Sequence, residues 1–135
     1  MGCASHIMAV RIVRLGTPRA RGEGLRIGTV RRPPRGVPKA EHARQNWYDV
    51  WLPELAPSAD AVTQALTAVT ERQWAAFARR YRAEMRAPEK SRLLDLLAAL
   101  SRHSNFSVGC YCADESRCHR SVLRALLEER NADLA

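Results

Sequence analysis

Three stretches of helical periodicity separate a strand-like run near the end of the chain from two strand-like runs near its start, and that order confines the fold. Val10–Leu15 (VRIVRL) is β-branched, alternates, and stops at Gly16-Thr17-Pro18. Leu25–Val30 (LRIGTV) reads as a second strand, ended by Arg32-Pro33-Pro34-Arg35-Gly36. Two consecutive prolines exclude a helix interior or central strand, so the arginines around them stand on a stiff loop. Asn46–Leu52 reads as a shorter extended piece ended by Pro53. The late run, Phe106–Cys112 (FSVGCYC), is expected to put Val108, Cys110 and Cys112 on one face and Tyr111 on the other.

Between these runs Val62, Ala65, Leu66 and Val69 recur at helical spacing, with Ser58 as the N-cap. Thr70-Glu71-Arg72-Gln73 is a capping box, because the threonine hydroxyl and the glutamine amide can each satisfy a helix-terminal backbone donor. It opens a helix with Trp74, Phe77, Ala78, Tyr81 and Met85 on one side. Ala87-Pro88 ends that helix, and Pro88 suits the first position of a third, where Leu93, Leu94, Leu96, Leu97 and Leu100 are expected to be buried. Ser116 is the expected cap of a last helix carrying Val122, Leu123, Leu126 and Leu127. The prediction is a small three-layer α/β single domain whose mixed or parallel sheet is flanked by helices.

The chain has 135 residues and is 46% apolar, which suits one core and excludes wholesale disorder. Residues 1–8 read as a vector-derived or disordered N-terminus, leaving 9–135 as the domain. No apolar run approaches the ~20 residues of a membrane span, and Met1–Met8 lacks a secretory signal. A cytoplasmic protein with no membrane partner is expected.

Charge is placed unevenly. Residues 1–47 hold ten Lys and Arg against Glu23 and Glu41, whereas basic and acidic groups cancel over 48–135, so the net +8 belongs to the first third. Arg offers a planar fork of donors that grips phosphate or carboxylate in two places. A small anionic ligand and a nucleic acid are both candidate partners.

Chemistry concentrates in Cys110-Tyr111-Cys112-Ala113-Asp114-Glu115-Ser116-Arg117-Cys118-His119-Arg120-Ser121. Such a strand-to-helix junction is where ligands bind in open α/β sheets, and helix N-terminal amides favour an anion. Cys118, expected in the first helical turn beside cationic neighbours, is a candidate nucleophile with a stabilised thiolate. The competing reading is a half-buried structural cysteine. The spacing does not match the Cys-x5-Arg loop of tyrosine phosphatases. Cys110, Cys112, Cys118 and His119 are also a ligand set zinc would accept. Against a metal stand the lack of a Cys-x2-Cys knuckle and the ~100° between neighbouring helical residues, which separates Cys118 from His119. No cofactor is expected, since neither a Walker loop nor GxGxxG occurs.

Three stretches together resemble the YeaO-like family, small bacterial proteins catalogued as a domain of unknown function. Arg26-Ile27 through Arg31, with Pro34-Arg35-Gly36-Val37-Pro38-Lys39, is similar to its Arg-rich strand and Pro-Arg-Gly-Val-x-Lys loop. Trp51-Leu52-Pro53-Glu54-Leu55-Ala56-Pro57-Ser58 resembles its Trp-Leu-x-x-x-Ala-Pro-Ser element. Phe77 to Met85 resembles its Phe-x-x-Arg-Tyr-x-x-Glu-Leu helix, and Cys118-His119-Arg120 a motif of the wider superfamily. Val30 stands where the family usually has Asp, and Pro33 where it has Trp. The resemblance implies a three-layer α/β fold and no established activity.

Two function classes follow. In the first, Cys118 or His119 is the nucleophile or acid–base group, and Arg31, Arg35, Arg117, Arg120 and Ser121 bind a phosphate or carboxylate. In the second, arginines of residues 11–44 contact nucleic-acid phosphates, with Trp47, Tyr48 and Trp51 stacking on bases. A structural or metal-binding Cys/His cluster is a third reading. An exposed apolar helix face would serve a homo-oligomer.

Overall fold

The computed structural model describes residues 8–112 and 118–135. Four strands, β1 (Val10–Arg14), β2 (Leu25–Gly28), β3 (Val50–Trp51) and β4 (Phe106–Cys110), form one parallel sheet in the order β1-β4-β2-β3. The last strand in sequence is flanked on both sides: Phe106 pairs with Val10 on one side and Leu25 on the other. Parallel neighbours need long crossovers. The β3-to-β4 crossover is three helices, α1 (Ala59–Thr67), α2 (Glu71–Glu84) and α3 (Pro88–Leu100), and α4 (His119–Glu128) follows β4. The expected α/β architecture is therefore present with a parallel sheet. Among the described residues, no helix is long and apolar enough to cross a membrane.

The main core joins one sheet face, through Val10, Ile27, Phe106 and Val108, to all four helices through residues such as Ala61, Phe77, Tyr81, Leu94, Leu97, Leu123 and Leu127. Among the described residues the other face carries no α-helix. Leu15, Val30 and Tyr48 belong to a second cluster, which Cys110 and Cys118 join at the carboxyl end of the sheet, with Trp47 and Tyr111 at its border. Tyr48 lies where a side chain on Gly28 would otherwise stand. Beside it Arg26, wholly buried, gives Nε and Nη2 to the Glu23 carboxylate at 2.8 and 3.0 Å and Nη1 to the carbonyls of Thr17 and Asn46. Ser107, its register partner on β4, donates to the same carboxylate at 2.6 Å. This network fastens the loops at 17–23 and 46–49 to the sheet.

Two motif stretches meet in the core. Ser58 caps α1 as expected, and both its backbone N–H and its hydroxyl donate to Glu84 at the end of α2. The Tyr81 hydroxyl donates to the Leu55 carbonyl at 2.6 Å. The capping box at Thr70 and Gln73 is formed in full.

Several local expectations are corrected. Helix α1 stops at Thr67, because the N–H groups of Val69 and Thr70 both donate to the Gln73 side chain that starts α2. Leu66 and Val69 consequently stand in solvent, 79% and 82% exposed, and α1 buries Ala61 instead. On α3 the inward face is Leu94, Leu97 and Ala98, which leaves Leu96 and Leu100 outside. Strand β4 ends at Cys110, so Cys112 lies beyond the sheet. Helix α4 begins at His119 with Cys118 at the N-cap; Ser116 lies outside the described residues.

Candidate functional site

At the carboxyl end of the sheet, the chain leaving β4 turns to the helical face through α4. The chain leaving adjacent β2 instead covers the opposite face with Tyr48. Neighbouring parallel strands whose continuations diverge leave a crevice between them, where ligands bind in sheets of this kind. Here it is a cavity of about 340 Å³. Arg31 and Arg32 line it from beyond β2, Cys110 from the end of β4, Tyr111 and Cys112 from just past it, and His119 from α4.

Three thiols converge at this end. The sulfurs of Cys110, Cys112 and Cys118 lie within 4.8 Å of one another, and those of Cys110 and Cys118 are 2.6 Å apart. Cys110 and Cys118 are buried, whereas Cys112 is exposed. Hydrogen bonding from Cys110 and Cys118 pulls the Cys112 thiol far below its ordinary range, against the effect of partial burial, and the Arg120 charge adds to the pull. Cys110 is pushed up by its hydrogen bonds to Cys112 and Cys118, and by burial. The bond to Cys110 favours the Cys118 thiolate, but the bond to Cys112 together with burial outweighs it and raises that thiol. The thiolate of the cluster is thus carried by Cys112, the member that reaches solvent.

His119 is held from behind. Its Nε2 lies 2.9 Å from the Thr29 carbonyl oxygen, so that nitrogen carries the hydrogen and donates it. The Nδ1 lone pair then faces the Cys118 sulfur at 3.8 Å. Burial holds the imidazole down at about 4, so it is neutral at physiological pH. The Tyr81 ring stands edge-on to it, with centroids 5.5 Å apart. Arg120 is 4% exposed and gives Nη2 to the Cys112 carbonyl at 2.6 Å. Its Nε has no partner among the described residues.

The structure gathers some expected site residues and disperses others. Arg31 and His119 line the cavity with Cys110 and Cys112. Arg35 lines the adjoining cavity instead. Cys118, 2% exposed, backs Cys112 from behind the cavity wall. Arg120 is likewise inward, and the Ser121 hydroxyl donates to the Cys118 carbonyl at 3.0 Å. Arg117 lies outside the described residues. Sequence reasoning left Arg32 and Thr29 out of the anion site and named Cys112 only in the metal-ligand set. The signal for Cys112 was its place two residues past the last buried strand position. For Thr29 there was none, since its contribution is a backbone carbonyl.

The geometric objection to a metal site falls away. Cys118, as N-cap, has extended backbone (φ −137°, ψ 157°), so the ~100° helical separation from His119 does not apply. The three thiols could take a soft divalent ion, with His119 Nδ1 beside Cys118.

Residues 10–131 match the family model DUF488-N3a, described as the active DUF488-N3 subclade. No curated protein and no solved structure matches the chain.

Proposed function

The chain belongs to the DUF488-N3a family, whose function is not established, and from its site we propose thiol-dependent chemistry on a small anionic substrate with Cys112 as nucleophile. Its motifs also resemble those of YeaO-like proteins, and we read it as one of that kind. The observation that carries the functional reading is the thiol cluster, in which two buried thiols stand behind the one that opens beside Arg31 and Arg32.

Cys110 and Cys118 hold negative charge on the Cys112 sulfur by donating S–H hydrogens to it. Arg31 and Arg32 place the anionic group of the substrate, phosphate or carboxylate, beside that sulfur. Arg120 fixes the backbone at Cys112 through its carbonyl and contributes positive charge. His119, neutral and locked by Thr29, stands behind Cys118 with Nδ1 3.8 Å from that sulfur and leaves the Cys118 hydrogen to Cys112. This reading transfers the nucleophile from Cys118 to Cys112 and makes Arg120 a positioning residue.

Alkylation by iodoacetamide, followed by peptide mass spectrometry, tests it. Cys112 is expected to react first, at a rate that persists below pH 6, and inorganic phosphate is expected to slow it in the wild type but not in an Arg31→Gln/Arg32→Gln variant. Reaction with the pH midpoint of an ordinary thiol, unaffected by phosphate, overturns the reading.

A further inference from the structure

Beyond the Cys112 cavity lies a second one of about 630 Å³, lined by Arg14, Arg32, Arg35, Trp47 and Tyr111 among others. Arg32 and Tyr111 line both cavities, so the two form one bent groove. Tyr111 is its hinge piece: its hydroxyl donates to the Arg32 carbonyl at 2.8 Å, and its own carbonyl accepts from Arg14 Nε at 3.3 Å. Its ring meets Trp47 edge-to-face, with centroids 5.8 Å apart.

The charge along this groove is selective. Elsewhere in the first third, Arg19, Arg26 and Arg44 are each paired with a carboxylate, from Asp49, Glu23 and Glu41 respectively. Arg14, Arg31, Arg32 and Arg35 are exposed and have no carboxylate partner among the described residues. No Asp or Glu among those residues lines either cavity. Four of the uncompensated charges of the first third thus stand together where the surface is concave and aromatic, whereas Arg11, Arg21 and Lys39, which also lack a carboxylate partner among the described residues, line neither cavity. A single phosphate needs one arginine fork; four arginines spread over two lobes call for phosphates in series. Tyrosine and tryptophan between those arginines offer flat apolar surface to an unpaired base, which a duplex keeps inside its stack.

We propose that the groove binds a single-stranded nucleic acid, with one phosphate at Arg31 and Arg32 beside Cys112, the next at Arg14 and Arg35, and a base against Tyr111 and Trp47. The proposal rests on reading the Cys112 cavity as an anion site and makes the anion there one phosphate of a longer strand. Each lobe is of a size that seats nucleotide-sized ligands.

The test is fluorescence anisotropy of a labelled ten-residue oligothymidylate with the full chain at 50 and 200 mM salt. Binding is expected to weaken at least tenfold across that range, as phosphate contacts dictate. Arg14→Gln/Arg35→Gln should weaken it about tenfold or more and flatten the salt dependence, while the charge-matched Arg79→Gln/Arg92→Gln on α2 and α3 should leave it within twofold. Tyr111→Leu should cost about five- to a hundredfold at constant charge. No binding at 50 mM, equal losses in both arginine pairs, or an unlabelled duplex competing as well as the single strand overturns the proposal. So does adenosine monophosphate competing as well as the oligonucleotide, since the site is then one for a free nucleotide. Arg14 and Arg35 lie outside the Cys112 cavity, so their readout is independent of the alkylation experiment. Binding without a reactive Cys112 defeats the nucleophile alone, and a reactive Cys112 without binding defeats the groove alone.

Discussion

Tyr81 on α2 donates its hydroxyl hydrogen to the Leu55 carbonyl oxygen at 2.6 Å, and its ring edge rests on His119. One side chain thereby ties the turn before α1 to the helix that carries the site. The Tyr81 hydroxyl is fully buried, so Tyr81→Phe leaves the Leu55 carbonyl without a partner and out of reach of water. The expected cost is about 1–3 kcal/mol, read as a lower urea midpoint at unchanged slope. A variant as stable as the wild type would show that this bond contributes nothing net.

The Glu23–Arg26 pair sets a second expectation. Both partners are buried. Burial alone would raise the Glu23 carboxyl, but the hydrogen bonds from Arg26 and Ser107 outweigh it and hold it at about 2, against 4.5 in the unfolded chain. A carboxyl depressed on folding contributes stability that is present above the unfolded value and is lost as pH falls between 4.5 and 2. Wild-type stability should therefore fall through that window. Glu23→Gln should remove that part of the pH dependence and start roughly 3–5 kcal/mol lower at pH 7, because the Arg26 charge is left buried without its counterion. Chemical denaturation at stepped pH reads both.

The elements most legible in sequence were those with chemistry of their own. The Thr70–Gln73 box, the Ser58 cap and the proline opening α3 specify helix starts from side-chain donors and acceptors, and each is found. Leu66 and Val69 misled because apolar spacing does not reveal where the next helix claims the backbone. Leu96 and Leu100 misled because a leucine-rich helix offers several faces, and only the fold selects among them. The arginines could be counted but not sorted: that Arg26 is a buried counterion while Arg32 faces a cavity depends on strand pairing. The cysteine cluster was visible as a cluster, yet which thiol reaches solvent turned on β4 ending at Cys110.

Gly109 of β4 pairs with Val13 of β1. A Cβ there would come to 2.5 Å from the Val13 carbonyl oxygen and meet the Leu15 side chain. Backbone cannot yield as a flexible side chain can, so Gly109→Ala should destabilise by about 1–3 kcal/mol through overpacking. A thermal unfolding midpoint within one degree of wild type would show that the β1–β4 spacing is softer than this.

Soft divalent ions should inhibit the site whether or not one has a role there. Three sulfurs within 4.8 Å form a ready ligand set, and zinc binding displaces thiol protons, so it strengthens as pH rises. Micromolar zinc is expected to slow Cys112 alkylation, more at pH 8 than at pH 6, and Cys118→Ser should weaken that protection. Equal protection in the variant would place the ion elsewhere.

The last expectation isolates the source of Cys112 reactivity. If its thiolate is held by the hydrogens of Cys110 and Cys118, then removing either donor should raise the pH midpoint of Cys112 alkylation, and removing both should raise it further. Cys110→Ala and Cys118→Ala delete the donors, whereas Cys118→Ser keeps an O–H hydrogen in roughly the same place. The alanine variants should shift the midpoint upward by at least one unit each, and the serine variant by less. One unit corresponds to about 1.4 kcal/mol of lost thiolate stabilisation, a reasonable loss for one hydrogen bond to a charged group. Should alanine and serine at 118 behave alike, positive charge from Arg120 would be the dominant influence, and Arg120→Gln would then produce the larger shift.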